Sequence, residues 1–168
     1  MDFLLATDAI SAPGTITDLL LRLFFAAVLG GAIGLNREWE QKPAGLRTHA
    51  LVGLGSALFA LVGLALALDG PEQDLTAPSR ILQGLVAGVG FIGGGAILRR
   101  EQAGSIEGLT TATSVWIVAA VGVATGVGMW RSALAAVAIA LVILTAGEFI
   151  DRQLRRLRKQ HGDSPGRR

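Results

Sequence analysis

Residues 50–68 and 109–127 are each 19 residues without a charge, and residues 81–98 are another 18. Wound as a helix at about 1.5 Å per residue, such a run reaches roughly 27–29 Å, enough to cross a bilayer core. Residues 19–36 make a fourth run, interrupted only by Arg22, and residues 132–150 a fifth, charged only at Glu148. Together they fill more than half of the chain. The expectation is an all-α integral membrane protein: a five-transmembrane-helix bundle with spans 19–36, 50–68, 81–98, 109–127 and 132–150.

One span carries a misleading signal. Residues 88–100 read GVGFIGGGAILRR, and GVGFIG matches the G-x-G-x-x-G dinucleotide fingerprint. That fingerprint needs a strand before it, a helix opening at its third glycine and an acidic residue about 20 positions later. Here the glycines lie inside an uncharged run, and pyrophosphate would enter hydrocarbon with no cation in reach. The match is accidental. Glycines four apart have another use: they let helix backbones approach closely where lipid supplies no hydrophobic drive. Gly30 and Gly34, Gly84 and Gly88, Gly90 and Gly94, and Gly122 and Gly126 are so spaced. They predict a close-packed bundle, mostly within the chain, and are also compatible with a homodimer. The Gly93-Gly94-Gly95 triplet can alternatively break its helix and expose carbonyls, as transporter sites do.

Composition narrows the function classes. The chain is 51% hydrophobic and only 17% charged, a balance too apolar for an ordinary soluble domain. A net charge of +2 argues against nucleic acid as a partner. The absence of cysteine removes disulfides, thiolate metal sites and a cysteine nucleophile.

The 15 Lys and Arg residues divide sharply. Arg37, Lys42, Arg47, Arg99 and Arg100 fall between spans on one side. That side also takes the tail residues Arg152, Arg155, Arg156, Arg158, Lys159, Arg167 and Arg168. The other side keeps Arg80 and Arg131, with Arg22 just inside the membrane, and gathers Asp2, Asp8, Asp18, Asp69, Glu72 and Asp74. The positive-inside rule then puts residues 1–18 outside the cell and the basic tail 151–168 in the cytoplasm. The acidic start is unlike the basic n-region of a cleavable signal. Turns are expected at Asp69-Gly70-Pro71 with Pro78-Ser79, at residues 42–45, at Ala103-Gly104-Ser105 and at residues 128–131. The tail should continue span five as a helix and become disordered from Gly162 on.

No ionisable residue lies at mid-depth, where transporters and proton relays place theirs. Ser56, Thr113, Ser114 and Thr125 can each bond their hydroxyl to the preceding turn. Arg22 has Asp18 four residues before it, and Glu148 has Arg152 four residues after, so local pairs account for both. Polar residues gather instead at the cytoplasmic helix ends: Arg37 and Glu38 after span one, Arg47, Thr48 and His49 before span two, Thr110 and Thr111 before span four. Thr48 and Thr110 suit N-caps. Arg47 beside a helix N-terminus opposes the dipole, so Glu38 or Glu107 should hold it. His49 has no second His or Cys near it, which favours packing over a metal ligand; no metal or cofactor is expected.

These junctions read LGGAIGLNRE (29–38), AGLRTHALVGLGSALF (44–59), Arg80-Ile81 with GVGFIGGGAILRR (88–100), and GLTTATSVWIVAAVG (108–122). In that order and spacing they resemble the MgtC/SapB inner-membrane family over about residues 20–147. The resemblance points to Arg37, Glu38, Arg47, Thr48, His49, Arg80, Thr110, Thr111 and Trp116, with Thr110 at a polar position of the Gly-Leu-x-Thr-Ala segment. Asn36 departs from it, standing where the family often has Glu. The likeness covers the membrane part only, without the soluble C-terminal domain found in family members. It implies a bacterial inner-membrane factor linked to growth in low magnesium, acid stress and virulence. Such a factor would bind other membrane proteins, the F-type ATP synthase among them, and would not pump magnesium. The expected activity is therefore non-enzymatic modulation of a partner; the alternative is an ion or small-solute transporter with broken Gly-rich helices. An enzyme would need a Cys, a close carboxylate pair or a His cluster.

Overall fold

The computed structural model describes residues 10–68, 76–99 and 106–162. Five helices follow one another: α1 (Ile16–Trp39), α2 (Leu46–Leu68), α3 (Thr76–Gly95), α4 (Leu109–Gly126) and α5 (Trp130–Gly162). Between α3 and α4, β1 (Leu98–Arg99) and β2 (Ile106–Glu107) form a two-residue antiparallel pair, Leu98 opposite Glu107 and Arg99 opposite Ile106. This small ladder is the one departure from an all-helical chain among the described residues. The expected turns at Asp69-Gly70-Pro71 and Ala103-Gly104-Ser105, the acidic start and the chain end after Gly162 lie outside them.

Local chemistry sets the helix ends. Thr15 caps α1 by accepting the Asp18 N–H at 3.1 Å. Asp18 in that first turn suits the positive end of the helix dipole. The α1–α2 connection bends through Gln41 (φ 55°). Gly108 precedes α4 at φ 92°, and a Cβ there would strike the Ala96 carbonyl, so this joint requires glycine. Pro78 and Ser79, expected to bracket a loop, instead lie in the first turn of α3, where proline loses no helical hydrogen bond. The tail does continue span five, since α5 runs unbroken to Gly162 over 33 residues.

α1, α2, α4 and the Trp130–Leu154 part of α5 are long and apolar enough to cross a membrane. α3 is not among them, so four of the five expected spans meet that length and composition among the described residues. Its helix begins at Thr76, so it takes in Arg80 and Gln83, and it stops at the glycine triplet before Ala96, Ile97 and Leu98. The apolar run 81–98 is thereby cut: its helical part ends at Gly95 and is about 22 Å long. The triplet ends the helix, with the Gly93 and Gly94 carbonyls accepting from Ala96 and Ile97 at 3.0 and 3.1 Å.

α2 is central, flanked by α1, α3 and α4, and α5 leans on α4 and α1. The largest core cluster joins Ile33, Val118, Val121, Ala133, Val137 and Leu144. Backbone-to-backbone contact dominates where α1, α2 and α4 meet. A Cβ at Gly30 would lie 2.6 Å from the His49 carbonyl oxygen, at Gly34 2.7 Å from that of Gly45, and at Gly126 2.6 Å from that of Ala57. Gly122 lies directly on the Gly53 carbonyl, and Gly53 in turn would place a Cβ 2.5 Å from the Ala26 carbonyl oxygen. Two of the four glycine pairs therefore pack as expected. Gly84, Gly88, Gly90 and Gly94 do not: among the described residues nothing lies within 4 Å of a Cβ at any of them, and α3 buries only Val89 and Gly93. Gly53, outside the glycine pairs singled out, also packs against backbone.

At the opposite end from the α1–α2 loop, Arg22 pairs with Asp18 at 3.0 Å as its spacing implied. Its guanidinium also donates to the Ser11 carbonyl at 2.6 Å, the Ser11 hydroxyl at 3.0 Å and the Gly126 carbonyl at 3.1 Å. One cation thus ties the segment before α1 to the C-terminal end of α4, where the dipole favours it.

Candidate functional site: a polar rim at the α1–α2 and α3–α4 ends

The last turn of α1 carries Asn36, Arg37 and Glu38, each used differently. Arg37 is only 2% exposed and donates through Nη1 to Glu40 Oε2 at 2.7 Å. Its carbonyl accepts the Lys42 N–H at 3.0 Å, drawing the loop back over it. Arg37 Nε and Asn36 Oδ1 are buried without a hydrogen-bond partner among the described residues. Glu38 reaches across the turn and accepts the Leu46 N–H at 2.8 Å, so it caps α2. Lys42 meets Glu148 of α5 at 3.5 Å, and Glu148 also takes Arg152 at 3.2 Å, the local pair its spacing implied.

His49 is fully buried between α2 and α4. Its Nδ1 lies 2.9 Å from the Gly45 carbonyl and its Nε2 2.9 Å from the Ser114 hydroxyl. A carbonyl only accepts, so Nδ1 carries a proton. In the neutral ring Nε2 then accepts from Ser114; when Nε2 is protonated it donates, and Ser114 turns to the Thr111 carbonyl 2.8 Å away. Both ring nitrogens are engaged by protein, which leaves no lone pair for a metal. Among the described residues no group of three His, Asp or Glu could hold a metal ion.

The expected ring therefore divides in two. Glu38 and His49 are drawn into hydrogen bonds between helices, Arg37 is buried in an ion pair with Glu40, and Thr111 is buried. Arg47 and Thr110 are exposed and Thr48 is half-buried. Neither threonine caps a helix. Glu38 takes that place for α2, and α4 starts after Gly108, which offers no side-chain cap. Glu38 turns to the α2 backbone, and Arg47 makes no ion pair or hydrogen bond among the described residues. Arg80 is exposed near the start of α3, and Trp116 is exposed on α4 beside an apolar groove of about 430 Å³ shared with α3. Thr113, Ser114 and Thr125 bond back to Thr110, Thr111 and Val121 at 2.8–2.9 Å, as expected. Ser56 does not: its buried hydroxyl has no partner among the described residues. Glu40 was missed by sequence reasoning, although its place three residues after Arg37 is a readable signal.

The family model of the MgtC family matches residues 23–153. The chain belongs to the MgtC family. Among MgtC-family relatives, it is 46% identical over 132 residues to "Putative magnesium transporter YhiD" of Escherichia coli, a match covering 76% of this chain and 59% of YhiD. It is 41% identical over 140 residues to protein SrpB of Synechococcus elongatus, covering 80% of this chain and 77% of SrpB. It is 41% identical over 122 residues to protein MgtC of Salmonella typhimurium, covering 73% of this chain and 49% of MgtC. The match thus spans little more than half of YhiD and half of MgtC. No solved structure matches.

The capping role of Glu38 is testable without a functional assay. Glu38→Ala removes the acceptor from the first turn of α2 and should lower stability by about 1 kcal/mol. Thr48→Ala, which removes no cap, should change it by less than about 0.5 kcal/mol. Paired thermal melts in one detergent check both.

Proposed function

We propose that this chain is a magnesium-linked protein of the bacterial inner membrane that modulates a membrane partner without catalysing a reaction. In this reading all five helices cross the bilayer, α3 as a short member, with the N-terminus outside and the tail in the cytoplasm. One observation carries the reading. The polar rim motifs are largely consumed by internal locks, and Arg47, Thr48 and Thr110 remain at the surface beside exposed Leu46 and Leu109. Such a remainder suits contact with another protein. Helix packing supports the same side: α1, α2 and α4 touch backbone to backbone, whereas Mg²⁺ keeps several of its waters and needs room for them. The F-type ATP synthase, implied by the family resemblance, is the first partner to test.

Transport is the second reading, favoured by the name of the YhiD relative, a putative magnesium transporter. The experiment separates the two. Affinity-tagged protein should retain a membrane complex that Arg47→Ala and Thr110→Ala release, while purified protein in proteoliposomes moves no magnesium down an imposed gradient. Gradient-driven uptake lost in the same variants would instead establish transport and remove the modulator reading.

A further inference from the structure

α5 is too long for the membrane it crosses. Its 33 residues span about 50 Å, against a hydrocarbon core of about 30 Å. Counted from Trp130, the core is traversed near Ile150, and the helix continues to Gly162. The family match ends at residue 153, so most of this extension lies outside it.

The extension has two chemically distinct faces. Ile150, Leu154 and Leu157 recur at i, i+4 and i+7 and are 55, 51 and 53% exposed. At 100° per residue they form one line. Arg152, Arg155, Arg156 and Lys159 fall on the opposite half of the helix and Arg158 on its flank, with Asp151 the one acidic residue from 150 to 162. Of these cations, Arg152 is engaged by Glu148. An apolar line backed by a basic face is the pattern of a helix that lies in a membrane interface.

We propose that residues 151–162 form an arm that binds anionic phospholipid, its apolar line set among the headgroups and its basic face held by phosphate. Geometry favours lipid over a protein groove. The headgroup layer is about 5–7 Å deep, and Leu154 begins only about 6 Å beyond Ile150. Leu154 therefore lies within the layer, and Leu157 and the residues after it stay there only by bending away from the α5 axis. The five cations against one acid match a surface carrying net negative charge, which concentrates basic segments within a Debye length. A helix continuing straight would instead carry position 161 about 16 Å past Ile150, into water.

The chain has no cysteine, so a single nitroxide can be placed at will. With His161→Cys labelled in nanodiscs, accessibility to a water-soluble relaxation agent should fall several-fold when phosphatidylcholine is replaced by phosphatidylglycerol, and recover in high salt. The triple change Arg155→Gln, Arg156→Gln and Lys159→Gln should abolish that response; its melt should match the unaltered protein, since these positions lie beyond the bundle. Three outcomes would overturn the proposal: a label equally wet in both lipids, a label equally shielded in both at any salt, or close label-to-label dipolar coupling, which means that a second copy covers the arm. Shielding seen in native membranes but not in phosphatidylglycerol nanodiscs would assign the arm to a protein partner and reject lipid.

Discussion

Gly122→Ala should lower the stability of the folded bundle by about 3 kcal/mol, the upper end of the cost of overpacking, and Gly122→Val by more. The added carbon would meet the Gly53 carbonyl and lie 2.9 Å from Ser56 Cβ, and neither belongs to a flexible side-chain end that can move aside. α2 and α4 would have to separate. Gly88→Ala is the control. Its Cβ meets nothing within 4 Å, so only the helix propensity difference remains, worth up to about 1 kcal/mol in favour of alanine. The two changes, identical in chemistry and in motif, should shift the melting temperature in opposite directions. Equal shifts would mean that α3 and α4 are packed alike, and the arrangement of the bundle would be wrong.

The second large effect concerns Arg37. Its side chain and that of Glu40 are 3% and 9% exposed, so Arg37→Met strands a buried carboxylate. Removing one partner of such a pair typically destabilises by about 3–5 kcal/mol. Replacing both, Arg37→Met with Glu40→Leu, should recover most of the loss, since the desolvation of both charges disappears with them. A single variant as stable as the parent would show that Glu40 reaches water when alone, and that the loop over Arg37 opens freely.

Much of the fold was legible because helix length and charge position are written locally. The run 50–68 became Leu46–Leu68 and the run 109–127 became Leu109–Gly126, each shifted by a few residues at most. The Asp18–Arg22 and Glu148–Arg152 pairs were legible for the same reason. The bounds of α3 differ from the run 81–98 because counting apolar residues says nothing about where the helix stops, and Gly93-Gly94-Gly95 stops it early. The glycine pairs look alike in sequence; which of them meets another backbone depends on how each helix is rotated in the bundle. At the rim, residue types marked the right end of the helices but not their neighbours. The α2 cap comes from Glu38, eight positions before the N–H that it satisfies, beyond the reach of a rule that searches the capping position itself.

The link from Glu38 to Leu46 has a bearing on assembly order. It joins residues close in sequence, as do the approaches of Gly34 to Gly45 and of Gly30 to His49. Such short-range contacts form early, and N-terminal segments fold first as a chain emerges from the ribosome. α1 and α2 can therefore shut as a hairpin before α4 has been synthesised. The imidazole of His49 then waits, with Nδ1 already held by Gly45, for the hydroxyl of Ser114 to arrive and fasten the later helix in place.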